Sequence, residues 1–453
     1  MPHLLSRATE ALEEQFNALP LYEPASGTAA DLTAMERVLE DVAHRMGDNY
    51  PYFHPLYAGQ MMRPPHPVAR AAYALAMKIN PNNHARDGGR ASSEMEIEAV
   101  GKIAGVFGWT GFLGHLTSGG TLANLEALWV AGQLAPGKRI VGSDQAHYTH
   151  NRISGVLKLD YTSVAADGHG RMDLEALETE LRKGDVGTVV VTLGSTAMGS
   201  VDPLDGVLAL RERYGFRIHA DAAYGGYFRL IPEALDEPAR RAYAAAGEAD
   251  SIAIDPHKHG LQPFGCGCIL FRNPSVGRFY KHDSPYTYFT SKQLHLGEIS
   301  LECSRAGAAA VALWATEQLL PLVPGGEFAR GLARGRAAAI ELDRRLRQDK
   351  TGCIQPLTAG APDLDIVVWK LKAETPEQAS NLAHSVFDAC AARDLHLALV
   401  KLPECWFKPL SCAGNASGMV TCLRSVLMKP EHEAWLDRIW ERLSAACAEV
   451  MGG

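Results

Sequence analysis

Four kinds of residue in this chain stand where they could do chemistry together. Asp221 ends the apolar run FRIHADAA (216–223) and is followed by two alanines and a glycine pair, so almost no side chain shields its carboxylate. A buried carboxylate without a partner takes up a proton, so either a loop exposes Asp221 or a flat cation lies against it. Lys258, in AIDPHKHG (253–260), follows another apolar run beside two histidines. An amine desolvated there and close to other cations becomes a nucleophile. Gly119 and Gly120, in GHLTSGGTLANLEALWVAGQL (114–134), precede a stretch with helical spacing. A helix start reached through glycines offers free backbone N–H groups to a phosphate. His147, in GSDQAHYTHNR (142–152), follows a strand end. His257 and His259 lack further ligands nearby, so no metal site is expected.

The elements that must position these residues alternate strand and helix. Strands are expected in 138–144, 187–195, 216–223, 250–258 and 265–272. The helical stretches 173–184 and 204–215 each end on glycine, a helix-stop signal. This order, with strands apolar on both faces, predicts an α/β fold with a mostly parallel central sheet. Ligands of such sheets bind beyond the carboxyl ends of the strands, where Asp221 and Lys258 would both lie. We expect an N-terminal arm over 1–67, a large domain over 68–324, and a smaller α+β C-terminal domain over 325–453. The last holds a long Ala/Arg helix (328–348) and a closing amphipathic helix (431–450).

At 453 residues, 47% hydrophobic and 21% charged, the chain reads as an ordinary globular protein. A formal net charge of −8 argues against nucleic acid or an anionic membrane as partner. No signal peptide or membrane span is evident, and nine scattered cysteines read as reduced thiols in a cytoplasmic protein. A phosphate cradle, a carboxylate, a histidine and a lysine, all at the same sheet edge, are what pyridoxal 5'-phosphate requires. Its phosphate needs N–H donors, its aldehyde an amine, its ring nitrogen a carboxylate and its ring face a flat partner.

The motifs TSGGTLAN, SDQAH, TLGSTAMGSVDP, HADAAYGG and DPHKHG, in this order and spacing, resemble the group II pyridoxal-phosphate-dependent amino acid decarboxylases. The resemblance covers about 80–314, with a weaker match at LRSVLMKP (423–430). It implies fold type I, the aminotransferase-like fold, acting as a homodimer with the active site at the subunit interface. It also implies that Lys258 carries the cofactor, Asp221 meets the ring nitrogen, and His147 stacks on the ring with Ala223 opposite. Gly119, Gly120 and Thr121 would hold the phosphate, His257 would stand at its edge, and Thr196 would lie near the ring hydroxyl. Asp255 stands where the family often has asparagine, and a carboxylate there would repel phosphate. His259 replaces the bulky aromatic usual in the animal enzymes. Tyr286 and Tyr288, in 280–298, are the candidate proton donors, with packing in an edge strand as the alternative.

The activity implied is α-decarboxylation of an L-amino acid to CO₂ and an amine. NPNN (80–83) and TSGGTLANLEALWVA favour an aromatic substrate such as tyrosine, with Phe53, His54 and Tyr57 of the arm helping to line the pocket. Arg63, Arg90 or Arg305 could instead receive an acidic substrate such as aspartate or glutamate. Decarboxylation-dependent oxidative deamination, a carbon–carbon or carbon–sulfur lyase on the same fold, and a silent binding protein are the alternatives.

Overall fold

The computed structural model describes residues 2–22, 31–281, 300–350, 352–407 and 418–452. Its core is a sheet of seven strands: β1 (Leu113–Thr117), β2 (Arg139–Ser143), β3 (Tyr161–Val164), β4 (Val186–Thr192), β5 (Arg217–Asp221), β6 (Ser251–Ile254) and β7 (Gly267–Phe271). Across the sheet the order is β1-β7-β6-β5-β4-β2-β3. Strands β6, β5, β4, β2 and β3 pair in parallel, while β7 runs antiparallel to both β6 and β1. Every residue of β4, β6 and β7 is buried, as strands covered by helices on both faces must be.

Local signals set the helix ends. Asp173 caps the helix Leu174–Leu181 by accepting the N–H groups of Glu175 and Ala176. Gly215 ends Leu204–Tyr214 at φ 70°, the left-handed conformation that glycine adopts without strain. The segments 173–184 and 204–215 are thus helices that stop where their glycines predicted. Strands β1 and β3 were not anticipated.

The C-terminal part carries a second, wholly antiparallel sheet of four strands in the order β10-β11-β9-β8. These are β8 (Ile354–Pro356), β9 (Ile366–Leu371), β10 (Ala398–Pro403) and β11 (Met419–Val426), covered by helices Glu327–Arg347, Pro376–Ala391 and His432–Gly452. The N-terminal segment forms two helices, Pro2–Glu14 and Leu32–Met46, and then an extended stretch. That stretch is stitched to the smaller sheet by hydrogen bonds from Ala58 N–H to His396 O, His396 N–H to Leu56 O, and Val426 N–H to Ala58 O. Among the described residues, no helix is long and apolar enough to cross a membrane.

Candidate active site

The sheet topology brings distant residues to one edge. Strands β1, β2, β4, β5 and β6 all point their carboxyl ends there, and the reversed β7 starts there. The loops leaving these strands surround a cavity of about 520 Å³. Gly119, Gly120, Thr121, His147, Thr196, Asp221, Ala223, His257 and Lys258 all line it, so the described residues expected to hold the cofactor meet at one cavity. Tyr286 and Tyr288 lie outside the described residues.

The helix Gly120–Leu134 opens this edge without any side-chain cap. Its Leu122 and Ala123 N–H groups bond to Gly119 O, and among the described residues those of Gly120 and Thr121 are left to an outside acceptor. The neighbouring Ser118 N–H already holds the Glu302 carboxylate at 2.9 Å, a sign that this turn attracts anions. Space fixes the glycines. A Cβ on Gly120 would lie 2.7 Å from Asp255 Oδ2, and one on Gly267 would lie 2.6 Å from Gly119 Cα.

Asp221 is 4% exposed. Its Oδ2 accepts from His150 Nε2 at 2.8 Å and Asn124 Nδ2 at 3.3 Å, and its Oδ1 accepts from Ala223 N–H at 3.1 Å. Burial pushes this carboxyl upward. The hydrogen bond and charge of His150, with the charge of Lys258, outweigh burial and hold it well below the usual carboxylate range. Asp221 is therefore an anion in a wall of alanine and strand. Burial likewise drives the His219 imidazole down to about 3, so it is neutral. His219 Nε2 then donates to Asn124 Oδ1 at 2.8 Å, which turns the Asn124 amide nitrogen toward Asp221.

Lys258 Nζ reaches Asp255 Oδ2 at 3.1 Å. The cations expected around Nζ are replaced by this carboxylate as its nearest charge. Asp255 is 3% exposed, and its Oδ1 has no partner among the described residues. His257 donates Nδ1–H to Cys266 O at 2.7 Å and packs at a tilt against Phe264, with centroids 4.9 Å apart. His147 Nδ1 meets Thr149 Oγ1 at 2.7 Å. Burial lowers the His147 imidazole, Lys258 and His150 push the same way, and Asp221 and Asp255 oppose them.

These features fit pyridoxal phosphate on the structure's own terms. There is an uncapped helix start for the phosphate, a buried anion with acceptor capacity left on Oδ1, and a reachable amine. The Thr192 hydroxyl on the cavity wall is buried and without a partner among the described residues.

The arm residues expected in the pocket lie elsewhere. Tyr57 is buried against His396 and the Tyr50 and Tyr52 rings, and His54 packs edge-on against Trp435. Phe53, 71% exposed, borders a separate cavity with Arg63. Arg305 is spent on an ion pair with Glu96 at 2.5 Å, and Arg90 is exposed. None of these six lines the Lys258 cavity. Sequence reasoning in turn missed His150, Asn124 and His219. The one available signal was the spacing of His147 and His150, one helical turn apart.

The chain matches the model of the pyridoxal-dependent decarboxylase conserved domain over residues 129–320. It is 28% identical over 451 residues to an L-tyrosine decarboxylase of Enterococcus faecium, covering 75% of this chain and 72% of that one. It is 30% identical over 311 residues to a probable L-tyrosine/L-aspartate decarboxylase of Methanoculleus marisnigri, covering 68% of this chain and 80% of that one. Among solved structures, Oryza sativa TDC with PLP and tryptamine superposes with TM-score 0.77 at 17% identity, covering 99% of this chain and 97% of the other.

Proposed function

Because the chain belongs to the pyridoxal-dependent decarboxylase family and is a pyridoxal-phosphate-dependent carboxy-lyase, we propose that it decarboxylates an aromatic L-amino acid, tyrosine foremost, to CO₂ and the primary amine. One observation carries the substrate class. Among the described lining residues, Lys258 is the only lysine or arginine, and its amine is committed to the cofactor. A substrate with a second carboxylate would meet no arginine there, whereas Phe264, Tyr224, Leu122 and Leu125 offer apolar surface. The relatives named for both tyrosine and aspartate make aspartate the second reading.

When bound, pyridoxal phosphate supplies an electron sink conjugated with the substrate's α-carbon. The chain's own groups do the rest. The N–H groups of Gly120 and Thr121 bind the phosphate. Lys258 would hold the cofactor through its amine. Asp221 would hold the proton on the ring nitrogen, His147 and Ala223 would flank the ring, and Thr196 would stand at its hydroxyl. Asp221 matters most as charge develops, because it is fixed and anionic before substrate arrives.

A homodimer completes this reading. The helix Leu32–Met46 buries no residue, yet Leu32, Met35, Val38, Leu39, Val42 and Met46 form a helical apolar stripe that is exposed. The buried thiols Cys266, Cys268, Cys390, Cys422 and Cys447 fit a reducing cytoplasm. The test is a screen of the twenty amino acids for CO₂ release with added cofactor, with the products identified by mass spectrometry. Tyramine from tyrosine is expected. Turnover of aspartate or glutamate alone would overturn the aromatic assignment, and aldehyde as the main product would overturn simple decarboxylation.

A further inference from the structure

His150 lies outside the cavity lining, is fully buried, and sits on the first turn of the helix Thr149–Leu157. It nonetheless makes the shortest contact of Asp221, 2.8 Å from Nε2 to Oδ2. An ionised carboxylate only accepts, so the hydrogen lies on Nε2. Nδ1 is buried without a partner among the described residues, so Asp221 is the ring's one polar anchor there. With Asn124 on the same oxygen, Oδ2 is filled, and Oδ1, holding only the Ala223 N–H, keeps a lone pair free.

We propose that His150 is a positioning residue acting through Asp221: it occupies Oδ2, presents Oδ1 to the cofactor's ring nitrogen, and keeps the shared proton on nitrogen rather than on oxygen. The inference rests on Asp221 being the partner of the ring nitrogen. A carboxylate whose other oxygen is saturated by donors is a weaker base. A proton shared between two bases resides on the stronger, and here that becomes the ring. The hydrogen bond of His150 is the first of the contributions that oppose burial at Asp221.

Other titratable groups surround the pair. Strand β5 contributes His219, whose ring centroid lies 6.3 Å from that of His150. The loop after β2 contributes His147, and the loop after β6 contributes Lys258 and Asp255. Strand β3 contributes Tyr161, on which Asp221 also acts. Among these, only His150 and the neutral, His219-held Asn124 donate side-chain hydrogen bonds to Asp221.

The test uses the holoenzyme loaded with pyridoxal phosphate carrying ¹⁵N in the ring, read by the nitrogen's chemical shift. His150→Leu should move that resonance from the protonated toward the neutral-pyridine position and weaken cofactor binding about tenfold, as expected for loss of a hydrogen bond to a charged group. His150→Gln restores an uncharged donor and should recover most of both. An identical ring resonance in wild type and His150→Leu overturns the proposal. Should His150→Leu not fold, ¹⁵N-histidine labelling of the wild-type protein decides. The His150 Nε2 signal, identified by its loss in His150→Gln, must shift on adding cofactor although His150 does not line the cavity, and an unmoved signal overturns the proposal. Asp221→Asn separates the two readings. If it leaves the ring resonance unmoved, the role of Asp221 falls. If it moves the resonance while His150→Leu does not, only the role of His150 falls.

Discussion

Replacing Asp255 by asparagine should tighten cofactor binding. Its carboxylate lies 3.1 Å from Lys258 Nζ and 3.6 Å from His257 Nε2, and crowds the glycines that would hold phosphate. Binding the cofactor makes two demands on it. The Lys258 ammonium must be given up, and a phosphate must settle nearby. Two unit charges at 3.1 Å attract by about 5 kcal/mol at an effective dielectric of about 20, and by about 1.3 kcal/mol in water. The Lys258 side chain is 22% exposed, so solvent screening brings the recoverable part toward the lower figure. The expected gain is about 1.4–2.8 kcal/mol, or roughly ten- to a hundredfold in dissociation constant. Asparagine keeps the shape and adds an N–H donor that phosphate can use. The assay is titration of the apo protein with pyridoxal phosphate, followed by absorbance, at low and high salt. The advantage of the variant should shrink as salt rises. Weaker binding by Asp255→Asn would refute the reasoning, because the carboxylate would then support the cradle rather than oppose it.

Lys258→Ala should stay folded but lose turnover and the visible absorbance of the covalently held cofactor; substantial residual activity without added amine would place the anchor elsewhere. If Tyr286 or Tyr288 delivers the proton to the α-carbon, Phe at that position should divert product to aldehyde, ammonia and peroxide in air, while amine alone at wild-type rate from both variants would exclude them. Lys429→Met should raise the Tm at pH 7, because burial, helped by Arg63, lowers the wild-type ammonium to about 7 from 10.5. Between those values the unfolded chain binds one more proton than the folded one, so wild-type stability climbs with pH and the advantage of the variant should narrow by pH 9–10. A gap that does not change with pH would show that Lys429 is not held neutral.

The cavity was legible because its residues follow runs of Val, Ile and Ala that can only be buried strands, and chemistry collects where such strands end. Gly184 and Gly215 likewise announced helix stops, and both have positive φ. Direction was not legible: the run GCGCILFR reads the same whichever way β7 points, and its antiparallel placement depends on β1, whose LGHLT carries one glycine and one histidine among five residues. The arm misled for a different reason. Tyr57 and His54 look like pocket aromatics, but backbone pairing with His396 commits that stretch to the smaller sheet. Arg305 shows the same limit, since nothing near it in sequence reveals that Glu96 consumes its charge. His150 could not be singled out because its one-turn spacing from His147 is too common to assign a role, and only the fold sets it against Asp221.

The sheet order also sets a timetable for synthesis. Among the described residues, strand β1 lies at the sheet edge and pairs only with β7, so Thr117 waits for its partner Gly267. A ribosome adding roughly 5–20 residues per second needs about 8–30 s to cover that interval. During that time β2, β3, β4, β5 and β6 can already associate in parallel, and the Asp221 side of the cavity can form. The turn at Gly119 comes early in the chain but is fixed in place only after β7 has emerged and slid between β6 and β1. A nascent chain would then acquire the Asp221 side of the cavity before the turn at Gly119, and a cofactor molecule arriving early would find half a site.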